Sequence, residues 1–172
     1  EMPTNFSLRP IDTLIDPETE RGLYWFDGLQ PGTYTVSEIM QNGWQASTPT
    51  IHTIVIGSGE FVDGVAFGNY VPGSIHGFKF EDMDADGRYD PTVDPPLGGV
   101  DFLLIGTDGK GDPVAGTTTT DANGEFAFRD LVPGTYTVTE QVPAGWMATT
   151  AISFTTNLIS RQELVAFPGQ MA

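Results

Sequence analysis

The chain has 172 residues, with 23 acidic and 7 basic side chains, a net charge of −16, and no cysteine. That balance excludes nucleic acid and anionic membrane as partners, because both need a basic footprint, and it suits a soluble surface that gathers cations. Without cysteine there is neither a disulfide framework nor thiolate chemistry.

Taken in order, residues 1–21 hold Phe6-Ser7-Leu8, Leu14-Ile15 and a turn at Asp16-Pro17-Glu18. Leu23-Tyr24-Trp25-Phe26 reads as a short apolar strand, and residues 28–32 turn into Thr33-Tyr34-Thr35-Val36, β-branched and aromatic with period two. Asn42-Gly43 is a turn before Trp44. His52-Thr53-Ile54-Val55-Ile56 alternates, Gly57-Ser58-Gly59 turns, and Val65-Ala66-Phe67-Gly68-Asn69 closes the first part. Tyr70-Val71-Pro72-Gly73 marks a boundary too short for a flexible linker. Strands are then expected at 75–80, 100–105, 117–120, 126–128, 133–139, 152–154 and 163–167, separated by Gly, Pro, Asp and Asn. No sustained 3.6-residue apolar period occurs, so the chain is read as all-β. No apolar run is long enough to span a bilayer and no signal peptide is visible, so an export signal or anchor would lie outside this sequence.

Pro31-Gly32-Thr33-Tyr34-Thr35-Val36-Ser37-Glu38 returns as Pro133-Gly134-Thr135-Tyr136-Thr137-Val138-Thr139-Glu140, 102 residues later. Extended to 22–48 against 124–150, roughly half the positions are identical without a gap, Gly43-Trp44 and Gly145-Trp146 among them. A period this long means duplicated domains. They are placed at 1–72 and 73–172. The second holds about 25 residues, 74–99, with no counterpart in the first, so the first is expected to lack its opening strand. Such a domain exposes an unpaired edge, which a strand from a neighbouring domain or subunit would complete.

Those unmatched residues contain the sharpest motif. Asp82-Met83-Asp84-Ala85-Asp86-Gly87-Arg88-Tyr89-Asp90 sets side-chain oxygens at positions 1, 3, 5 and 9 and Gly at 6, with the Arg88 carbonyl at 7. This is the spacing of a calcium loop, in which the glycine makes the sharp turn. Position 12, usually a bidentate Glu, is Val93, and Asp94 follows one residue late. A bulge would bring Asp94 in; otherwise water completes the shell. No amphipathic helix flanks the loop, which makes it a staple between strands and not a helix–loop–helix sensor.

The acidic loop, Leu97-Gly98-Gly99-Val100, Thr119-Thr120-Asp121-Ala122-Asn123-Gly124-Glu125-Phe126, Leu131-x-Pro133-Gly134-Thr135-Tyr136 and Pro143-x-Gly145-Trp146 occur in an order that resembles the calcium-binding B repeats of serine-aspartate-repeat surface adhesins. It is also similar to the wider collagen-adhesin B-type family. The resemblance implies two tandem Greek-key, prealbumin-like β-sandwiches. It further implies a Ca2+ site at Asp82, Asp84, Asp86, Arg88, Asp90 and Asp94, and an extracellular place on the bacterial cell surface. Relatives in the wider family crosslink a Lys on the first strand to an Asn near the last, with help from a Glu at the position of Glu38 or Glu140. The first domain has no lysine. In the second, Phe78 and Phe80 are expected to take the core face and turn Lys79 outward, and Pro168-Gly169-Gln170 offers no Asn. No crosslink is expected.

Catalysis finds little support. His52 and His76 lie in different domains, and no nucleophile elbow, zinc motif or phosphate loop occurs. Trp25 falls on the face opposite Tyr24 and Phe26 and is expected to be exposed, whereas the recurrent Trp44 and Trp146 are expected to cap cores. The resulting reading is a non-enzymatic structural module of a stalk, surface protein or fibre, stiffened by calcium. The alternative is an adhesive module that binds a glycan or protein through loops and exposed aromatics.

Overall fold

The computed structural model describes residues 22–166, all of them in strands, turns and irregular segments. They fall into two compact units: 22–39 with 49–67, and 40–48 with 68–166. The expectations for Phe6, Leu8, Leu14 and Ile15, and for 168–170, lie outside the described residues.

In the first unit, β1 (Gly32–Ser37) pairs antiparallel with β3 (Ile51–Ile56), with Tyr34 opposite Ile54. Alternation is clean in both strands, as the sequence pattern requires. Residues 23–26, expected as a strand, are irregular apart from a bridge at Asp27. Their exposure also reverses the expectation: Tyr24 and Phe26 are the exposed rings, and Trp25 is the half-buried one, with its Nε1 buried. Tyr24 is tied down by its hydroxyl, which donates to Val65 O at 2.8 Å, and Tyr24 and His52 both pack on Phe67. Without a strand ladder the period of two that placed Trp25 outside has no force here.

The second unit is a β-sandwich. One sheet has the order β10-β9-β6-β7: β6 is Asp101–Asp108, β7 Pro113–Thr119, β9 Gly134–Glu140 and β10 Ser153–Leu158. The other has the order β11-β5-β8, from Gly73–Phe78 (β5), Glu125–Leu131 (β8) and Glu163–Ala166 (β11). Two hairpins, β6-β7 and β9-β10, lie side by side, and β8 crosses to the opposite sheet between them, which is Greek-key connectivity. β11 closes the domain by running parallel to β5. Short strands β2 (Gln45–Ala46) and β4 (Asn69–Tyr70) pair antiparallel beside this core.

The core follows from the alternation. Tyr136 and Val138 of the repeated strand are fully buried against Ile75, Leu104 and Leu158. The Tyr136 hydroxyl donates to Val132 O at 2.6 Å, and Tyr34 makes the same bond to Gln30 O at 2.7 Å. The repeated motif therefore fixes a tyrosine that satisfies its own polar end four residues upstream. Gly106 makes room for it: a Cβ there would strike Thr135 O and the Tyr136 ring.

Candidate metal centre

The loop 82–94 joins β5 in one sheet to β6 in the other. Its ends are held together, since Phe80 bridges Pro96 and Glu81 N–H donates to Pro95 O at 3.0 Å. Tyr89 anchors its middle, with ring centroids 4.7 Å from Phe78 and 5.2 Å from Phe80. Asp94 is 2% exposed. Its two oxygens accept from Met83 N–H at 3.0 Å and Asp90 N–H at 2.8 Å, so a buried carboxylate is satisfied while it stitches both limbs of the loop.

Within that frame the chain turns tightly, with left-handed φ at Ala85 (59°) and Gly87 (77°). A Cβ at Gly87 would also lie 3.2 Å from Thr149 O. Asp82 accepts from Asp86 N–H (3.2 Å) and Gly87 N–H (2.9 Å), Asp84 from Asp86 N–H (3.3 Å), and Asp86 from Arg88 N–H (2.7 Å). One oxygen from each of Asp82, Asp84 and Asp86 lies within 4.8 Å of the others. Oxygens sharing one Ca2+ at about 2.3–2.6 Å are at most about 5 Å apart, so these three fit around a single ion. Asp90 stands outside that trio, accepting from Thr92 N–H (2.8 Å) and Thr92 Oγ1 (2.6 Å), and Asp94 stands outside it as the brace described above.

The carboxyls are unequal. The Thr149 hydroxyl, aided by the Gly87 and Asp86 N–H groups, holds Asp82 below the usual carboxylate range. Thr92 does the same for Asp90. Asp84 is pushed up by desolvation and by the negative charges of Asp86 and Asp94, which makes it the group with most to gain from a cation.

A second charged feature lies next to the loop. Lys79 Nζ sits 3.0 Å from Glu140 Oε1 and 3.3 Å from Oε2, with the two side chains only 16% and 6% exposed. The expectation that Lys79 faces outward is wrong. Strand phase is set by Ile75 and Gly77, which are buried, and Lys79 shares their face; Phe78 lies on the other side, stacked with Phe80 and edge-on to Tyr89. Counting the alternation from Ile75 would have found the pair, whereas counting from the two phenylalanines hid it. A cleft of about 430 Å3 adjoins it, lined by Lys79, Glu81, Asp82, Trp146, Met147 and Thr149. The histidines make no catalytic constellation. His76 Nε2 lies 3.0 Å from Ser74 Oγ and 3.5 Å from Glu163 Oε1, a contact between β5 and β11, and His52 packs on Phe67.

Residues 73–158, which span the sandwich from β5 to β10 with its acidic loop, match the SdrD B-like domain. The chain belongs to the SdrD B-like domain family. It is 30% identical over 158 residues to serine-aspartate repeat-containing protein F of Staphylococcus epidermidis, covering 83% of this chain and 9% of that protein. It is 30% identical over 143 residues to serine-aspartate repeat-containing protein E of Staphylococcus aureus strain MSSA476, covering 75% and 12%. The chain thus spans about a tenth of the length of these relatives. Among solved structures it is similar to the Bacillus anthracis TIE protein (23% identity, TM-score 0.40, 81% of this chain and 25% of that one). It is also similar to GBS52, the minor pilin of Streptococcus agalactiae (16% identity, TM-score 0.41, 83% and 60%). This SdrD B-like chain is a non-enzymatic structural module of a bacterial cell-surface protein. Among the described residues no helix is long and apolar enough to cross a membrane.

Proposed function

We propose that the chain serves as a stiff spacer in a surface stalk or fibre, and that Ca2+ held by the 82–94 loop of the second unit supplies the stiffness. The observation that carries this reading is the convergence of Asp82, Asp84 and Asp86 in a loop that connects opposite sheets. A bound ion would neutralise three carboxylates that otherwise repel one another. Those three residues would hold it, with the Arg88 carbonyl, Asp90, Asp94 or water completing the six to eight oxygens that calcium takes. The protein's own contribution is to hold the loop closed through Tyr89 and Asp94, so that an ion in the loop resists separation of β5 from β6.

The partners in this reading are neighbouring repeats. Among the described residues β1 pairs with β3 alone, whereas its counterpart β9 is paired on both sides, with β6 and β10. The edge of β1 that has no strand beside it among the described residues is where a strand from a neighbouring repeat would complete the first unit. Single-molecule pulling tests the mechanical role. The second unit should unfold at higher force in calcium than in chelator, and Asp84→Ala should remove the difference. Equal forces in both solutions would contradict the spacer reading.

A further inference from the structure

The two repeats carry one loop in two settings. Trp44 N–H donates to Gln41 O at 3.2 Å, and Trp146 N–H donates to Pro143 O at 3.1 Å. The glycine before each tryptophan is left-handed, with φ of 82° at Gly43 and 87° at Gly145. The turn is therefore the same, but its surroundings differ. Residues 40–48 belong by sequence to the first repeat and by packing to the second unit. There Gln45 and Ala46 pair with Tyr70 and Asn69, and Ser47 N–H donates to Gly68 O at 2.8 Å. The Tyr70 ring is buried and its hydroxyl donates to Gln45 Oε1 at 2.7 Å. The Arg161 guanidinium lies 4.4 Å over the Trp44 ring. The turn that presents Arg161 is fastened to the same segment, because Val71 N–H donates to Ser160 Oγ (3.0 Å) and Arg161 N–H donates to Val71 O (3.1 Å).

The second copy of the loop has none of these partners among the described residues. Trp146 is 42% exposed and Met147 90% exposed, and 147–148 lie in no strand. An exposed Trp-Met pair on a very acidic chain is costly to leave in water. The loop nevertheless lies against the acidic loop: a Cβ at Gly87 would stand 3.2 Å from Thr149 O, and Thr149 and Asp82 line the same cleft. We infer that residues 146–148 are a docking surface for a following β-sandwich repeat of the same kind. That repeat would enter as Asn69-Tyr70-Val71 enters the second unit, and would lay a cation from its β10–β11 turn on the Trp146 ring.

The occupant is specified by the first copy, where the same turn is seen docked, and the tenfold greater length of the relatives leaves room for further repeats. One difference refines its chemistry. Met147 stands where Gln45 accepts the tyrosine hydroxyl, so the partner residue across from it is an apolar or aromatic side chain with no buried hydroxyl to satisfy.

The test uses residues 1–169 continued directly into a second copy of residues 70–172 that carries Tyr70→Phe, so that no hydroxyl is left unsatisfied against Met147. Amide exchange at 146–148 should slow at least tenfold relative to the 172-residue chain, and Arg161→Ala in the appended copy should reverse much of that protection. Protection of the appended copy's own β9 reports that it has folded. A folded appended copy beside unprotected 146–148 would overturn the inference, and would leave the Trp-Met tip as a surface for a glycan or a foreign protein. A second arm does not depend on the appended copy. In the 172-residue chain, Arg161→Ala should speed exchange at 44–46 at least tenfold, and no change there would remove the precedent and the inference with it.

Discussion

Replacing Lys79 by Met should destabilise the second unit far more than its replacement of one long side chain by another suggests. The ammonium is bound to both oxygens of Glu140, at 3.0 and 3.3 Å, and the Glu140 side chain is only 6% exposed. Removing the cation leaves a carboxylate in a site with little access to water. Breaking one partner of such a buried pair costs about 3–5 kcal/mol, whereas replacing both partners by apolar groups of similar volume is often neutral or stabilising by about 1–4 kcal/mol. For a unit of this size about 1 kcal/mol moves the melting temperature by roughly 4 °C, so Lys79→Met should lower it by roughly 12–20 °C. The double variant Lys79→Met/Glu140→Leu should recover most of that loss. Two units make the whole-chain transition complex, so a local probe is needed. Trp25 is in the first unit and Trp44 and Trp146 are in the second, so a Trp25→Phe background makes indole fluorescence report the second unit alone. A Lys79→Met cost below about 1 kcal/mol, the value of an exposed pair, would refute the claim that the pair is desolvated.

Other consequences are equally open to measurement. Gly106→Ala should cost about 1–3 kcal/mol by overpacking Tyr136, while Gly116→Ala, whose nearest neighbour is the Phe128 ring at 3.9 Å, should be nearly neutral; equal effects in denaturant melts would argue against the Tyr136 packing account. Asp82 has its carboxyl lowered chiefly by Thr149, so in chelator it contributes stability above the ordinary carboxylate range that is lost as pH falls through its lowered folded value. Thr149→Val should raise that folded value in an NMR titration, and an unmoved titration would remove Thr149 from the site. In the isolated chain, alternate amides along β1 should exchange orders of magnitude faster than their counterparts in β9, which is paired on both sides. Equal protection in the two strands would mean that the β1 edge is already covered.

Much of this was legible because it is local. The period of two in Thr33-Tyr34-Thr35-Val36 and its copy dictates a half-buried strand, and both copies form one with the same tyrosine bond. The acidic loop was legible because Gly87 and the spacing of Asp82, Asp84 and Asp86 are a property of the segment itself. What was hidden depends on partners distant in the chain. Lys79 faces inward because Ile75 sets the phase and Glu140, 61 residues away, receives it. Leu23 to Phe26 has strand composition but no ladder, so Trp25 turns in and its neighbours turn out. The seating of residues 40–48 in the second unit rests on Tyr70 and Arg161, which no reading of a single loop could supply.

Thermal melting of the second unit in millimolar calcium and in chelator tests the central claim most directly. An ion that binds only the folded state adds about 2.7 kcal/mol when its free concentration is 100-fold above its dissociation constant, roughly 10 °C for a unit of this size. The account predicts an upward shift of that order, lost in Asp84→Ala. Superimposable curves with and without calcium would contradict it.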